Sequence, residues 1–520
     1  MRIIATVLLL LVAALPTLAQ TPSVVADNVA NNEAMYYFHQ RKVARSSTGV
    51  LMVVWVDLPS ASPGGQVQYS TYDDAFGIWS TPVAVSSAGD RARQPAIASD
   101  ASGNIHATWM QRDAGTGPYQ AYYSKYSSGS WSTPVQVSVA ASVRAEEGTI
   151  EVSSNGTVWV VYNNDGEGVG NEFVYAVKST DGGTTWGTTA DVISSGGTIG
   201  TSITNARVDL AAGPDGKMAA IWHDGQPWNL DRREIFMNTF DGSAWGTMEL
   251  ISDTTTADRT ANWYPSVAID ANSTIYAVYH TNDAPPDSTR QILLQKKAWA
   301  DPWTSSTTTL IDVEYGGDLL SISLSVDPNG YLHLVNRRDM VGDDTGLDEI
   351  VYRNSFDGGA SWSAPVVISR PGHDGGYVSI ASRVRPAYGV DIAWRESMDP
   401  GVNDQSTLSI MNTTVPYSAV SVEDQPRPES FALFENYPNP FNPSTTLQFS
   451  LQQEGPVTLT VYDAMGREVK TLVNEVRAAG QYTEQWDATN GRGERVASGL
   501  YFSRLSTASG AQTIKMVLIK

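Results

Sequence analysis

Seven carboxylates recur at near-equal intervals along the chain: Asp57, Asp113, Asp165, Asp224, Asp283, Asp339 and Glu396. Each lies two to four residues beyond a marker position that ends an alternating apolar run, as in "LMVVWVD" from Leu51 or "VDIAWRES" from Val390. A ring of such acids has two chemistries open to it. The carboxylates either cap loop backbone and keep strand ends wet, or form a polar rim that accepts hydrogen bonds from sugar hydroxyls or holds a cation. Trp228, Trp263, Tyr264 and Tyr377 lie nearby in sequence, and such rings stack on sugar faces as well as they pack. Acids of a second kind sit in turns: Asp181 in "STDGGTTW" and Asp357 in "SFDGGASW". Nothing in either turn supplies a partner that would raise a carboxyl pKa for acid catalysis. The Asp reads instead as an acceptor for N–H groups of its own turn, the Gly as a positive-φ residue, and the Trp as a face buried against a neighbour.

The elements that must position these residues repeat. Turn tryptophans fall at Trp79, Trp131, Trp186, Trp245, Trp303 and Trp362, with gaps of 52, 55, 59, 58 and 59 residues. The upstream markers number seven: Trp55, Trp109, Tyr162, Trp222, Tyr279, Asn336 and Trp394. Tight-turn signals such as "ASGN", "SNGT", "PDGK" and "PNGY" precede most of the marker runs, so each unit reads as four short antiparallel strands. Alternation of period two at a repeat of this length predicts an all-β chain and a β-propeller. The seventh unit has no turn tryptophan after "STLSIMNTTV", while "TPSVVADN" at Thr21–Asn28 resembles the segment that closes other units. The expectation is seven blades, with the N-terminal segment as the outer strand of the last; six blades and a separate hairpin is the alternative. In such a blade the loop between its second and third strands shares a face with the connections between blades. The acid ring belongs to that face and the Asp181 and Asp357 turns to the opposite one.

The 520 residues, with 15 Trp, 23 Tyr and 44 Gly, suit strands and turns. A net charge of −21 lacks the basic face that nucleic acid or an acidic membrane requires. "MRIIATVLLLLVAALPTLAQ" has a basic Arg2, an apolar run and small residues before a cleavage point after Ala19, so residues 1–19 read as a signal peptide. No later run approaches the ~20 apolar residues of a membrane span, so no transmembrane segment is expected in the mature chain. With no Cys there is no disulfide framework and no thiolate metal site; no cofactor and no metal are expected.

The two SxDxGxxW turns, Ser179, Asp181, Gly183 and Trp186, and Ser355, Asp357, Gly359 and Trp362, resemble the Asp-box of sialidase-like (BNR-repeat) propellers. "TFDGSAW", "YSSGSW" and "STYDDAFGIW" are degenerate copies. The resemblance implies a structural role for these turns and a ligand site on the other face. Working sialidases bind a substrate carboxylate with three arginines and use a Tyr–Glu nucleophile and an Asp acid/base. Carried onto this chain, those roles have Arg93, Arg207 and Arg385, with Glu147, Tyr377 and Asp57, as candidates. Arg144, Arg259, Arg383 and Glu146 lie close by in sequence. The Arg-Ile-Pro signature of that family is replaced by Arg93-Gln94-Pro95. The first reading is therefore recognition of glycans or a surface partner without catalysis; the alternative is an exo-acting glycoside hydrolase of sialidase type.

Beyond the propeller (20–417), "SAVSVEDQPRPES" reads as a linker (418–430), and residues 431–520 as an Ig-like β-sandwich. Its segments "NYPNPFNPSTT", "VYDAMGREV", "ASGLYFSRL" and "KMVLIK" resemble the C-terminal sorting domain of type IX secretion cargo. That likeness implies a Gram-negative cell, the secretion machinery as partner, and an extracellular or outer-membrane surface location.

Overall fold

The computed structural model describes residues 22–27, 29, 34–35, 40–57, 65–87, 91–112, 117–139, 144–165, 173–194, 207–226, 229–252, 259–283, 289–303, 306–315, 321–338, 348–397, 408–416, 432–433, 436, 439–451, 455–477, 480–508 and 510–519. The expected signal peptide and linker lie outside the described residues. Two compact units result, a ring of blades and a unit that holds Ser418–Lys520.

The alternating runs become the second strands of seven antiparallel sheets: Leu51–Asp57, Ile105–Arg112, Val158–Asp165, Met218–Gln226, Thr274–Asp283, Leu332–Arg338 and Val390–Ser397. Each is covered on both faces, because one face packs on the preceding blade and the other on the next. The marker side chains Trp55, Trp109, Trp222, Tyr279, Asn336 and Trp394 accordingly show no exposed surface. In five blades the outer strands shorten to pairs of residues such as Val135–Gln136 and Val366–Val367, which leaves little edge there for pairing with another chain, whereas the fifth blade ends in the nine-residue Thr307–Tyr315.

The last sheet decides between seven blades and six. Its strand order is Ser23–Ala26, Leu408–Val415, Val390–Ser397, Asp374–Ile380, so the N-terminal segment is the outer strand of the seventh blade, as the sequence led us to expect. Ser23 pairs with Asn412 and Val24 with Met411. Asp27 accepts a hydrogen bond from Ser409 Oγ at 2.6 Å, and Trp79 Nε1 of the first blade donates to Ser23 Oγ at 3.0 Å. The two ends of the ring are thus tied without a covalent bond.

The SxDxGxxW turns close on themselves. Asp181 Oδ1 accepts from Thr184 N at 3.0 Å, Thr185 N at 2.8 Å and Ser179 Oγ at 2.7 Å, and Gly183 N donates to Ser179 Oγ at 2.8 Å. Asp357 repeats the pattern with Ser361 N at 2.9 Å and Ser355 Oγ at 2.8 Å. Gly183, at φ +88°, lies against the Tyr123 hydroxyl, and a Cβ there would fall 1.7 Å from that oxygen. In the second, third and fourth blades the tryptophan staples the blade to the one before it: Trp131 meets Tyr69 at 5.6 Å, Trp186 meets Tyr123 at 4.8 Å and Trp245 meets Trp159 at 5.5 Å between ring centroids. Hydrogen bonds from Thr185 and Ser179 hold the Asp181 carboxyl far below the usual carboxylate range, which keeps it an anion and an acceptor. Asp181→Ala is expected to lower the melting temperature while leaving ligand binding by the propeller unchanged; parallel melting and binding curves check both.

The second unit is a sandwich of a three-stranded sheet (Ala432–Leu433, Thr445–Leu451, Gly480–Trp486) on a four-stranded one (Glu468–Arg477, Gly455–Asp463, Gly499–Thr507, Gly510–Leu518). Phe441, Leu447, Phe449, Leu459, Trp486, Leu505 and Met516 fill its core. "VYDAMGREV" is its first tight hairpin, where Asp463 Oδ1 accepts from Met465 N at 2.9 Å and Arg467 N at 3.0 Å.

Candidate functional site at the channel mouth

The innermost strands of four blades carry the same irregularity near their starts. Pairing with the second strand slips between Arg93 and Ala96, Glu146 and Thr149, Trp263 and Ser266, and Gly376 and Ser379. Inside each slip one side-chain-bearing residue adopts a left-handed backbone: Gln94 at φ +55°, Glu147 at +52°, Tyr264 at +53° and Tyr377 at +52°. Such backbone costs on the order of 1–3 kcal/mol per residue and persists where surrounding structure demands it. A bulge re-aims a side chain. Recurrence at one position in four blades therefore marks a built feature at the end of the channel shared by the blade connections. Arg207 of the fourth blade and Ser321 of the sixth occupy the equivalent place.

Two residues further along each inner strand, hydrogen bonds run from blade to blade. Val267 N donates to Asp209 Oδ2 at 3.1 Å, Leu324 N to Ser266 Oγ at 3.0 Å, Ile380 N to Ser323 Oγ at 3.4 Å and Lys42 N to Ser379 Oγ at 2.9 Å. The first blade places Arg41 in this ring, and its guanidinium crosses the axis. Nη2 pairs with Asp209 Oδ2 at 2.8 Å, and Nη1 donates to Ser323 Oγ at 2.8 Å and Leu324 O at 2.9 Å. Both side chains are at most 2% exposed. The channel is thereby closed midway.

Around the mouth, cationic side chains lie on aromatic rings. Arg207 stands over Tyr264 at 4.6 Å, Arg395 over Tyr377 at 4.6 Å and Arg93 over Tyr119 at 3.8 Å. His223 packs edge-on to Trp263 and Tyr264, and its Nδ1 accepts from Tyr264 N at 3.3 Å. Gln94 Oε1 accepts from Glu147 N at 2.9 Å, while Gln94 Nε2 is buried with no partner among the described residues. Glu146 is held by both Arg93 and Arg144. Burial, followed by the neighbouring Arg290 charge, holds His280 neutral with a pKa lowered to about 3. The unfolded chain takes up that proton near 6.5, so His280 contributes stability that is complete above pH 6.5 and is lost as pH falls toward about 3. Denaturation midpoints measured across that window are expected to fall with acid, and to fall less in His280→Leu.

Glu147, Arg207 and Tyr377 thus share the mouth position, and Arg93 lies one residue before it. Arg383 and Arg385 do not belong there. They follow the inner strand Asp374–Ile380, and Arg385 donates weakly to Asp100 O at 3.3 Å, at the turn end of the channel. A convergent arginine trio that includes Arg385 is therefore not formed. The carboxylate ring also differs from expectation. Asp113, Asp339 and Trp228 lie outside the described residues, as do the side chains of Asp165, Asp224, Asp283 and Arg259. Asp57 ends its strand half-buried, and Asp224 falls within Met218–Gln226, so no loop opens there. Glu396 is fully buried, accepts from Arg370 N at 2.9 Å and is ion-paired with the Arg370 side chain, so it clamps a blade connection and does not line a rim. The left-handed ring has no side-chain signature in the sequence; its trace is the "QPA", "EGT", "YPS" and "YVS" triplets within the inner strands.

An FlgD Ig-like domain model matches residues 441–511. No curated protein matches the chain. Among solved structures, a polysaccharide lyase of family PL25, an ulvan lyase, is 11% identical over 76% of this chain and 96% of that one, with a TM-score of 0.52. A Hadza microbial sialidase is 12% identical over 72% and 65%, at 0.42. PorZ, an essential surface component of the type-IX secretion system of Porphyromonas gingivalis, is 15% identical over 93% and 60%, at 0.39. The likeness to the lyase is one of fold. The chain is a β-propeller followed by an Ig-like sandwich.

Proposed function

We propose that the propeller recognises glycans at the channel mouth and acts as a binding protein. The observation that carries this reading is the left-handed ring, which spends backbone strain to gather an amide, a carboxylate and two tyrosines over a channel closed by Arg41. Tyrosine faces suit the apolar faces of sugar rings. The buried Gln94 amide and the Glu147 carboxylate suit hydroxyls, and Arg207 and Arg395 suit a sugar acid. The lyase and sialidase neighbours support a glycan as the ligand by analogy of fold only. The reading extends to export: the N-terminal segment directs the chain out of the cytoplasm, and residues 431–520 direct it through type IX secretion to the cell surface. This part rests on the sequence motifs of the tail, and it fails if a chain truncated after Tyr417 still reaches the surface of a type IX-competent cell.

A glycan array probed with the purified propeller tests the binding reading, with retention of defined oligosaccharides expected and a blank array against it. Release of a fluorescent leaving group from a sialoside would replace it with the hydrolase.

A further inference from the structure

The half of the channel beyond Arg41 opens at the turn end as a separate cavity of about 360 Å³, within the size range of small-molecule sites. Its wall has one departure from the repeat. Where other blades place Ala98, Ala211, Ala268, Ser325 and Ala381, the third blade places Glu151. This carboxylate is 1% exposed; Oε1 accepts from Val152 N at 2.9 Å and lies 3.5 Å from Arg383 Nη2, while Oε2 is buried with no partner among the described residues. Arg383 donates to Val152 O, and its Nε also has no partner among the described residues. Arg385, beside it, makes long bonds among the described residues, to Arg45 O at 3.5 Å, Ser99 Oγ at 3.4 Å and Asp100 O at 3.3 Å. Burial, and after it the like charge of Arg383, press the Arg385 guanidinium below its ordinary value. The other acids of the wall serve their own turns: Asp270 accepts from Thr274 N at 2.7 Å, and Asp327 from Asn329 N at 2.8 Å.

A buried acceptor at depth and two crowded guanidinium groups above it ask for one ligand that carries both a hydroxyl donor and an anion. We propose that this chamber binds a small hydroxycarboxylate, with its carboxylate on Arg385 and Arg383 and a hydroxyl donating to Glu151 Oε2. Charge-assisted bonds at both ends make the pairing selective over a polyol or a simple acid alone. The site is distinct from the channel mouth and does not depend on what the mouth binds.

Calorimetric titration of the full chain with D-gluconate, D-glucitol and acetate tests it. Saturable gluconate binding is expected, at least tenfold tighter than either control. Glu151→Ala, which installs the residue that four other blades carry, is expected to weaken it at least tenfold, as is Arg385→Ala on the half-exposed side. Tyr377→Ala is expected to leave it unchanged. Absence of saturable gluconate binding overturns the proposal, as does binding indifferent to Arg385→Ala or to a folded Glu151→Ala. Gluconate binding lost in Tyr377→Ala alone also overturns it, by moving the ligand to the mouth.

Discussion

Arg41→Met is expected to destabilise the propeller by about 3–5 kcal/mol, the usual cost of leaving one member of a buried ion pair uncompensated. The partner left behind is Asp209, whose carboxyl burial already pushes above its ordinary value against the pull of Arg41. The reciprocal change, Asp209→Ser, gives the fourth blade the residue that the fifth, sixth and seventh carry as Ser266, Ser323 and Ser379, yet it strands the guanidinium at the axis. It is expected to cost a comparable amount. Combined, the two substitutions remove both charges and restore the interblade hydroxyl, so the double variant recovers most of the loss. Urea unfolding of the four proteins gives the coupling directly. Additive single effects would mean that the pair does not act as a unit across the channel.

Removing the chain up to Asp27 is expected to cost more than about 4 kcal/mol, because it takes away buried Val25, uncovers the Leu408 and Ile410 side chains of its cluster, and bares the backbone of the neighbouring strand together. Leu408–Val415 is buried along its whole length and would become an edge. The bond from Trp79 Nε1 to Ser23 Oγ would no longer bridge the first and last blades, and Ser409 Oγ would lose its acceptor on Asp27. Association through the bared strand should follow, since an unpaired hydrophobic edge is a template for pairing. A peptide spanning residues 21–29 added in trans is expected to restore the melting transition of the truncated protein by strand addition. A truncated protein as stable as the parent would show that closure rests elsewhere.

Repetition decided what could be read in the sequence and what could not. Trp55 and its equivalents, the turn tryptophans and the "TPSVVADN" segment each have copies, so their spacing carried the blade number, the face assignments and the closure. Arg41 and Glu151 are departures from the repeat, and no periodic argument finds a residue that occurs once. The mouth ring escaped for another reason. Gln94, Glu147, Tyr264 and Tyr377 share a backbone conformation and not a residue type, so side-chain comparison gives no common signal. Arg383 and Arg385 were misplaced because the seventh blade has a long first turn, and "SRVRPA" lies within it where other blades enter their inner strand. Glu396 kept the spacing of the acid ring, but Arg370 drew it into the blade.

Glycan binding at the channel mouth is tested by titrating the intact protein with an oligosaccharide retained on the array. Tyr264→Ala and Tyr377→Ala together are expected to weaken that binding at least tenfold, since stacking on each ring contributes about 1 kcal/mol or more, while Glu151→Ala in the opposite chamber leaves it unchanged. Binding undiminished in the double tyrosine variant, with its fold intact, would contradict the assignment.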